Sequence, residues 1–455
     1  MIRKVVFPIL VALFIIGLEV HPVLSQVGVN PQQPATPIQH FVMVMQENHS
    51  FDNYFGTYPG ADGFPDGIKM PVDPNDPNAG TVEPWHIGKA SITDLSHSVS
   101  TYKDQYNNGK MDGFVWALNK RNQDGRLAMG YYDDQDLPYY WNLADHYVLF
   151  DRFFSSAKDG SFSNHMYSVA AIPPIKKSGE ELSNYLADKP TIFDRLQAAG
   201  VSWKFYVQNY DPTITYRNLG TSGNRASQVI WVPLLNFSRF LDNPELSSHI
   251  VNLDEYYIDL NNDSLPAVAY IIPSGASEHP PGSLETGQRF VKTLIQELMR
   301  SSSWNSSAFM LVYDDWGGWY DHVAPKQVDE FGYGPRVPAI LVSPYAKEGF
   351  IDNTELDFTS MLKFIEYNWG LGALADRDAK ANNILTAFDF KQPLRSAQFL
   401  PLSREVAPLT IKSPTLKIYF TYGFGSILAL ASIGFASIKT RKQKVVRENE
   451  GKNES

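Results

Sequence analysis

The chain has 455 residues, a formal net charge of -10, 43% apolar residues and 13% aromatic residues. These contents support one large α/β domain or about two or three smaller domains, and they exclude wholesale disorder. The acidic balance argues against nucleic acid as the main partner, because phosphate contacts need clustered lysine and arginine. Cysteine is absent, which excludes disulfides, thiolate nucleophiles and cysteine-ligated zinc. Any metal must therefore be held by oxygen and nitrogen atoms.

The first 25 residues are typical of a secretory signal peptide. Arg3 and Lys4 precede the apolar run VVFPILVALFIIGLEV, and a small residue, Ser25, stands where cleavage is expected. An uncleaved membrane anchor is the alternative interpretation. Residues 26–37 (QVGVNPQQPATP) then predict a short linker.

From residue 38 to residue 393 the sequence alternates between predicted strands and predicted helices. Strands are predicted at Phe41–Met45, Ala267–Ile272, Phe309–Tyr313 and Ala339–Ser343. Helices are predicted at Ile192–Ala199, Gly287–Arg300 and Thr359–Asn368. This alternation predicts a mostly parallel sheet covered on both faces. Residues 201–265 show no clear period and predict an insertion that shapes the mouth of the pocket.

Two predicted strands end in residues that can bind a cation. Glu47 and Asn48 follow the run FVMVM and Gln46, and Asp314 and Asp315 follow the run FMLVY. Carboxylate and amide oxygens are hard ligands for a divalent cation. Since ligands in open α/β sheets bind at the carboxyl ends of strands, we expect both pairs to converge on one ion. The alternatives are a capped turn that starts a helix after Asn48 and a polar hairpin after Asp315.

Ser161 follows Gly160 at the predicted start of a helix. A serine in this position can present its hydroxyl beside backbone N–H groups and the helix dipole, which favour a bound anion. The segment is not the G-x-S-x-G elbow of α/β-hydrolases, because no glycine lies two residues after Ser161. A serine that merely caps the helix is the alternative.

Three histidines stand in polar contexts: His97 in DLSHS, His279 in SEHPPGS and His322 in WYDH. A histidine can stabilise phosphate oxygens as imidazolium or protonate a leaving group near neutral pH. Each of them could instead be a surface residue or a hydrogen-bonded structural residue. Their positions beside carboxylate clusters favour the functional interpretation for His279 and His322 and leave both interpretations open for His97.

The C-terminal region predicts a membrane anchor. Ile418–Ile438 carries no charge and is long enough to span a hydrocarbon core, and the basic segment KTRKQKVVR follows it. A buried helix of the domain is the alternative. The predicted organisation is a signal peptide over 1–25, a catalytic domain over 38–393, a stalk over 394–416, a transmembrane helix over 417–438 and a basic cytoplasmic tail over 439–455. We therefore expect a single-pass membrane protein whose domain lies outside the cytoplasm.

A set of segments resembles a known family when taken in this order: ENHSFDNYFGTYPGADGF, DLSHSVSTYKDQYNNGKMDGF, MGYYDDQDLPYYWNLADHYVLFDRFFSS, DGSFSNH, SEHPP, YDDWGGWYDHVAP and RVPAILVSPYAK. The family is the phosphoesterases that include bacterial phosphatidylcholine-type phospholipases C and respiratory-burst-inhibiting acid phosphatases. The resemblance extends over most of the chain between residues 38 and 370. It implies an alkaline-phosphatase-like α/β/α sandwich and a covalent phosphoryl intermediate on a hydroxyl residue.

By position, the resemblance implies the following site: Ser161 as nucleophile; Glu47, Asn48, Asp314 and Asp315 as ligands of one divalent metal ion; and His97, His279 and His322 around the phosphate. The metal could be calcium, magnesium, manganese or iron. Many relatives read Asp-Glu-Asn-Gly-Gly where this chain has Asp-Asp-Trp-Gly-Gly, so the second carboxylate, Asp315, is on a shorter arm.

The expected function is metal-dependent hydrolysis of phosphate esters through a phospho-serine intermediate. A phospholipid headgroup diester is the first expectation, because Trp85, Trp116, Trp316, Trp319 and many tyrosines could form aromatic walls around a quaternary amine. The predicted anchor would also keep the site near lipid. The alternatives are an acid-phosphatase-type phosphomonoesterase and a non-catalytic, surface-anchored binding protein. The presence of the complete predicted nucleophile and ligand set disfavours the last.

Overall fold

The computed structural model describes residues 33–173, 181–219 and 223–405. The predicted signal peptide, transmembrane helix and cytoplasmic tail lie outside these ranges. Among the described residues, no helix combines the length and the apolar character needed to cross a membrane.

The strands of the described residues are β1 (His40–Gln46), β2 (Met70–Pro71), β3 (Thr81–Val82), β4 (Trp85–His86), β5 (Gly130–Tyr131), β6 (Val148–Phe150), β7 (Trp203–Val207), β8 (Ile250–Asn252), β9 (Val268–Ile272), β10 (Ser307–Tyr313), β11 (Ala339–Val342) and β12 (Phe350–Asp352). In this part of the chain the main sheet has the order β12-β6-β11-β10-β1-β9-β7-β8. Neighbours pair in parallel, except that β11 is antiparallel to β10 and to β6. The prediction of an α/β fold with a mostly parallel sheet is confirmed.

The α-helices of the described residues are α1 (Phe51–Phe55), α2 (Val99–Tyr106), α3 (Phe114–Asn119), α4 (Pro138–His146), α5 (Ser161–Ala170), α6 (Leu182–Leu186), α7 (Ile192–Ala198), α8 (Gln228–Trp231), α9 (Ser238–Asp242), α10 (Pro244–Ser247), α11 (Asp254–Asn261), α12 (Leu284–Arg300), α13 (Phe358–Asn368) and α14 (Asp376–Lys380). The predicted helices correspond to α7, α12 and α13 and are confirmed. The buried residues of α12 recur every three or four positions, as expected for a helix that packs one face on the core.

The centre of the sheet is apolar and closed to solvent on both sides. Every residue of β10 is buried, and in β1 only His40 is partly exposed. Strands buried on both faces read as continuous apolar runs, which explains why both were recognisable in the sequence. These two strands are parallel neighbours, with Gln46 paired to Tyr313. The residues that follow, Glu47 and Asp314, therefore leave the sheet at the same edge.

The prediction of an insertion over 201–265 is wrong. This stretch contains β7, which lies inside the main sheet, and β8, which forms its edge. Lys204 interrupts the apolar run of β7 and hides its strand pattern. Its Nζ donates to Asp259 on α11, so the charge is neutralised where the strand is covered.

The predicted stalk begins as a segment that contacts the domain. We call residues 394–405 the C-terminal strap. Arg404 donates to Asn142 Oδ1 at 2.8 Å, and Arg395 donates to the His146 carbonyl at 2.7 Å. The Arg404 guanidinium also lies 5.7 Å from the ring centroid of Trp141. Two arginines of the strap therefore hold it against α4.

Candidate active site

The ends of β1 and β10 bring two of the predicted ligands together. The Asn48 backbone N–H donates to Asp314 Oδ1 at 3.0 Å. The side chain of Glu47 is 3% exposed and that of Asp314 is fully buried. Two buried carboxylates that lie close together require positive charge or protons nearby.

The turn after β10 is shaped by a glycine that contacts the end of β1. Gly317 has a φ of +59°, and a Cβ at this position would lie 2.1 Å from the Asn48 carbonyl oxygen. Its N–H donates to Asp315 Oδ1 at 2.8 Å. The close approach and the left-handed backbone together explain why glycine stands here.

Ser161 lies beside the same carboxylates. It is the first residue of α5, and its Oγ donates to Glu47 Oε2 at 3.2 Å. One helical turn later, His165 Nε2 lies 2.9 Å from Glu47 Oε1 and 4.0 Å from Asp314 Oδ2. His165 was not among the predicted site residues. Its spacing of four residues from Ser161 places both on one face of the helix, and this was the available signal.

The Asn48 side chain connects the carboxylates to two of the predicted histidines. One end of its amide lies 3.1 Å from Glu47 Oε2 and 3.1 Å from Asp314 Oδ1. The other end lies 3.1 Å from His97 Nε2 and 3.1 Å from His279 Nε2. The predicted residues Glu47, Asn48, Asp314, His97 and His279 therefore form one cluster.

Backbone carbonyls fix the orientation of both imidazoles. His97 Nδ1 lies 2.7 Å from the Leu95 carbonyl, and His279 Nδ1 lies 2.8 Å from the Pro280 carbonyl. Each Nδ1 therefore carries the proton, and each Nε2 faces Asn48. If both rings are neutral, the Asn48 amide nitrogen donates to them, and the amide oxygen faces the Glu47 and Asp314 carboxylates. Oxygens that face one another in this way are stabilised only by a cation between them. If the rings are charged, the amide is reversed.

The pKa values of the cluster residues also reflect an excess of buried negative charge. Burial, followed by repulsion from Asp314, raises the pKa of Glu47 and of Asp315 well above their ordinary values. Burial lowers the pKa of His165 to about 4, so the ring is neutral and free to act as a ligand. Burial acts to lower the pKa of His279, but the Glu47 carboxylate and other groups outweigh it, and the pKa is raised.

The cluster fits one divalent cation. Donor atoms of Glu47, His165 and Asp314 lie within 4.8 Å of one another. Asp315 Oδ2 is fully buried and accepts no hydrogen bond from the described residues. It lies 3.8 Å from the position that a Cβ on Gly160 would take, and so points toward the start of α5. A buried carboxylate oxygen without a donor is a group that a cation would satisfy.

His322 belongs to a different network. Its Nδ1 donates to Asp52 Oδ2 at 2.7 Å, and its Nε2 lies 3.3 Å from Asp62 Oδ1. Burial acts to lower the pKa of His322, but the bond to Asp52 and the neighbouring carboxylates outweigh it, and the pKa is raised. Among the described residues no hydrogen bond or ion pair joins His322 to Glu47 or Ser161.

The predicted aromatic walls are wrong for two of the four tryptophans. Trp316 and Trp319 are fully buried, so they cannot contact a ligand. Trp316 donates from Nε1 to Gln105 Oε1 at 2.8 Å and packs against Tyr102. Trp85 is half-buried and lines an open groove of about 790 Å³ that contains none of the predicted site residues. Trp116 is half-buried and its ring lies 4.7 Å from Lys120 Nζ. The buried pair Trp316 and Trp319 therefore supplies no argument for a quaternary amine.

Comparison with known proteins identifies relatives across most of the chain. The family model described as the phosphoesterase family matches residues 38–372. Non-hemolytic phospholipase C of Pseudomonas aeruginosa is 26% identical over 421 residues, which are 78% of this chain and 58% of that protein. Phospholipase C B of Mycobacterium tuberculosis is 27% identical over 426 residues, which are 79% of each chain. The chain thus spans a little over half the length of the Pseudomonas relative.

Among solved structures, a protein of the alkaline phosphatase superfamily from Vibrio parahaemolyticus superposes with a TM-score of 0.36 and 11% identity. The superposition covers 78% of this chain and 72% of that chain.

Proposed function

The chain belongs to the phosphoesterase family, and on that premise we propose that it hydrolyses phosphate esters at the Ser161 cluster, with a phospholipid headgroup diester as the substrate class. The observation that carries the proposal is the 3.2 Å hydrogen bond from Ser161 Oγ to Glu47, a carboxylate that also contacts His165. A hydroxyl at a helix start, next to a carboxylate, is arranged for nucleophilic attack.

The residues that would hold a metal ion are Glu47, His165, Asp314 and Asp315, and Asn48 would add its amide oxygen only while His97 and His279 are neutral. When bound, a divalent cation would supply Lewis-acid polarisation of a phosphoryl oxygen. Four of these residues are the ligands implied by the resemblance, and His165 is added from the geometry. The number of oxygen donors suits calcium, magnesium, manganese or iron.

The steps performed by the chain's own residues follow from the contacts. Ser161 Oγ attacks phosphorus and forms a phosphoester bond, while its proton moves to the Glu47 carboxylate that already accepts it. The bond from phosphorus to the leaving alcohol breaks, and His279 protonates the departing oxygen from Nε2. Water then displaces Ser161 from phosphorus: His279 takes the proton of the water, and Glu47 returns its proton to Ser161 Oγ. His97 Nε2 would stabilise phosphoryl oxygens.

The choice of a diester rests on the names of the relatives, which are phospholipases C. The buried tryptophans give it no support. The role proposed for His322 also rests on the resemblance alone. Location outside the cytoplasm and attachment to the membrane remain predictions from segments outside the described residues.

The test is hydrolysis of p-nitrophenylphosphorylcholine and of p-nitrophenyl phosphate by the full chain in detergent, with each divalent metal supplied. We expect cleavage of the diester, and loss of cleavage in Ser161→Ala with bound metal retained. Ser163→Ala is the matched control, since Ser163 lies in the same helical turn but donates to Asp159. Cleavage of only the monoester would indicate the acid-phosphatase alternative. Absence of cleavage of both substrates would refute the proposed function.

A further inference from the structure

Glu278 is a fully buried carboxylate on which three tyrosine hydroxyls converge. Tyr54 and Tyr313 each donate to Oε2 at 2.6 Å, and Tyr140 donates to Oε1. The three rings are buried and come from α1, β10 and α4. Elements distant in the sequence therefore meet at one side chain, immediately before His279.

This arrangement is more than ordinary burial of a polar group. Burial raises the pKa of Glu278 to about 7, and the hydrogen bonds from the three phenols act against that shift. Once ionised, the carboxylate can only accept, so each of the three phenols then donates to it. Hydrogen bonds from a hydroxyl to a carboxylate are about twice as strong as those between neutral groups. A charge buried in this way persists only where its partners are well placed. The position of Glu278 is thus defined by three directional contacts.

Two further contacts hold the backbone of the same segment. The Glu278 N–H donates to Gln46 Oε1 at 3.0 Å, and Gln46 Nε2 donates to the Ala276 carbonyl at 3.1 Å. A Cβ on Gly287 would lie 2.0 Å from Glu278 Oε1, so the carboxylate packs directly on the backbone of α12. The segment that carries His279 is therefore fixed on both sides.

We propose that Glu278 is a positioning residue for His279. Its carboxylate, held by the three phenols, keeps the 277–281 segment in place so that His279 Nε2 stays 3.1 Å from the Asn48 amide. The proposal rests on the proposed function, because it assigns a role within the same site. Among the described residues, the Glu278 carboxylate accepts hydrogen bonds from the three tyrosines and from no group that would contact the substrate.

The test is a double-mutant cycle between Glu278→Gln and His279→Ala in the full chain, with p-nitrophenylphosphorylcholine as substrate. Glutamine keeps the shape of the side chain but removes the charge and turns one acceptor into a donor. We expect kcat to fall about tenfold in the wild-type background and less than about twofold in the His279→Ala background, with KM little changed. A residue that acts only through His279 has nothing to position once the imidazole is gone.

Asp259→Asn is the matched control. Asp259 is buried, accepts a hydrogen bond from the Tyr206 hydroxyl and lies outside the cluster. We expect this variant to keep its kcat. If Asp259→Asn lowers kcat as much as Glu278→Gln does, or if Glu278→Gln has the same effect in both backgrounds, the positioning role is refuted. If Glu278→Gln does not fold, Tyr140→Phe, which removes a single donor, takes its place in the cycle.

Amide hydrogen exchange over residues 274–283 gives a readout that does not depend on turnover. Faster exchange there in Glu278→Gln, but not in Asp259→Asn, would support the anchoring of the segment. Unchanged exchange would overturn it. If the wild-type chain cleaves neither substrate, the proposed function fails, and this exchange experiment still decides whether Glu278 anchors His279.

Discussion

Replacement of Arg336 by methionine tests whether the network around His322 depends on one buried charge. Arg336 is fully buried, and its guanidinium donates to Asp321 Oδ1 at 2.9 Å and to Asp52 Oδ1 at 2.9 Å. It also donates to the carbonyls of Asp62 and Asp151. Arg336→Met would remove the cation that lies between two buried carboxylates, leaving Asp52 bonded to His322 and Asp321 bonded only to backbone N–H groups. Breaking a buried ion pair in this way costs about 3–5 kcal/mol, a large part of the roughly 5–15 kcal/mol by which domains are stable.

The loss of stability caused by Arg336→Met should depend on pH. Burial raises the pKa of Asp321 to about 6, while Arg336 acts against that shift. Without Arg336 the pKa of folded Asp321 rises further above its unfolded value, so the folded state holds a proton that the unfolded state has released. The free energy of unfolding of the variant therefore falls as the pH rises from the pKa of Asp321 in the unfolded state through its higher pKa in the folded state. We expect a larger deficit near pH 7.5 than near pH 5.

The assay is urea unfolding followed by tryptophan fluorescence at both pH values. Arg152→Met is the control, because Arg152 pairs with Asp62 where both side chains are about one-third exposed. Its loss should cost less than about 1 kcal/mol. A deficit below about 1 kcal/mol for Arg336→Met near pH 7.5, or a deficit that grows toward acid pH, would refute the reasoning.

Three further predictions concern the cluster itself. Gly317→Ala places a methyl group 2.1 Å from the Asn48 carbonyl, so we expect hydrolysis to fall at least about tenfold; unchanged turnover would contradict the tight turn. His165→Ala removes a ligand beside Glu47 and should weaken manganese binding at least about tenfold in calorimetry, whereas equal affinity would exclude His165 from the site. The pKa of His279 is raised, so its proton is present below that pKa and lost above it. Diester cleavage should fall on the alkaline side of the pH profile, and His279→Asn should remove that limb; an unaltered limb would assign it to another group.

The two strands that carry the cluster could be predicted from the sequence because they are buried on both faces. Apolar runs that stop at acidic residues marked β1 and β10, and their ends were predicted to converge. Their pairing, Gln46 with Tyr313, depends on contacts between distant parts of the chain, which local patterns do not contain. The role of Ser161 came from family resemblance, since a serine after glycine also occurs as a plain helix cap.

What was missed depends on tertiary contacts. Trp316 looks like a ligand-binding aromatic in sequence, but its indole N–H is satisfied by Gln105 inside the core. The acidic side chain of Glu278 gives no local sign that three phenols will surround it. β7 was overlooked because Lys204 breaks its apolar pattern, and the compensating Asp259 lies on a separate helix. In each case the deciding partner is remote along the chain.

The C-terminal strap bears on how the domain should be produced. A fragment that ends at residue 393 would lack Arg404 and Arg395, which donate to Asn142 and to the His146 carbonyl, and it would also lack Leu400, which is 5% exposed against the domain. The surface of α4 that is exposed in this way would favour aggregation. A fragment meant for crystallisation or enzymology should therefore extend to residue 405. Poor yield from the shorter fragment would reflect the loss of the strap contacts and not an inability of the domain to fold.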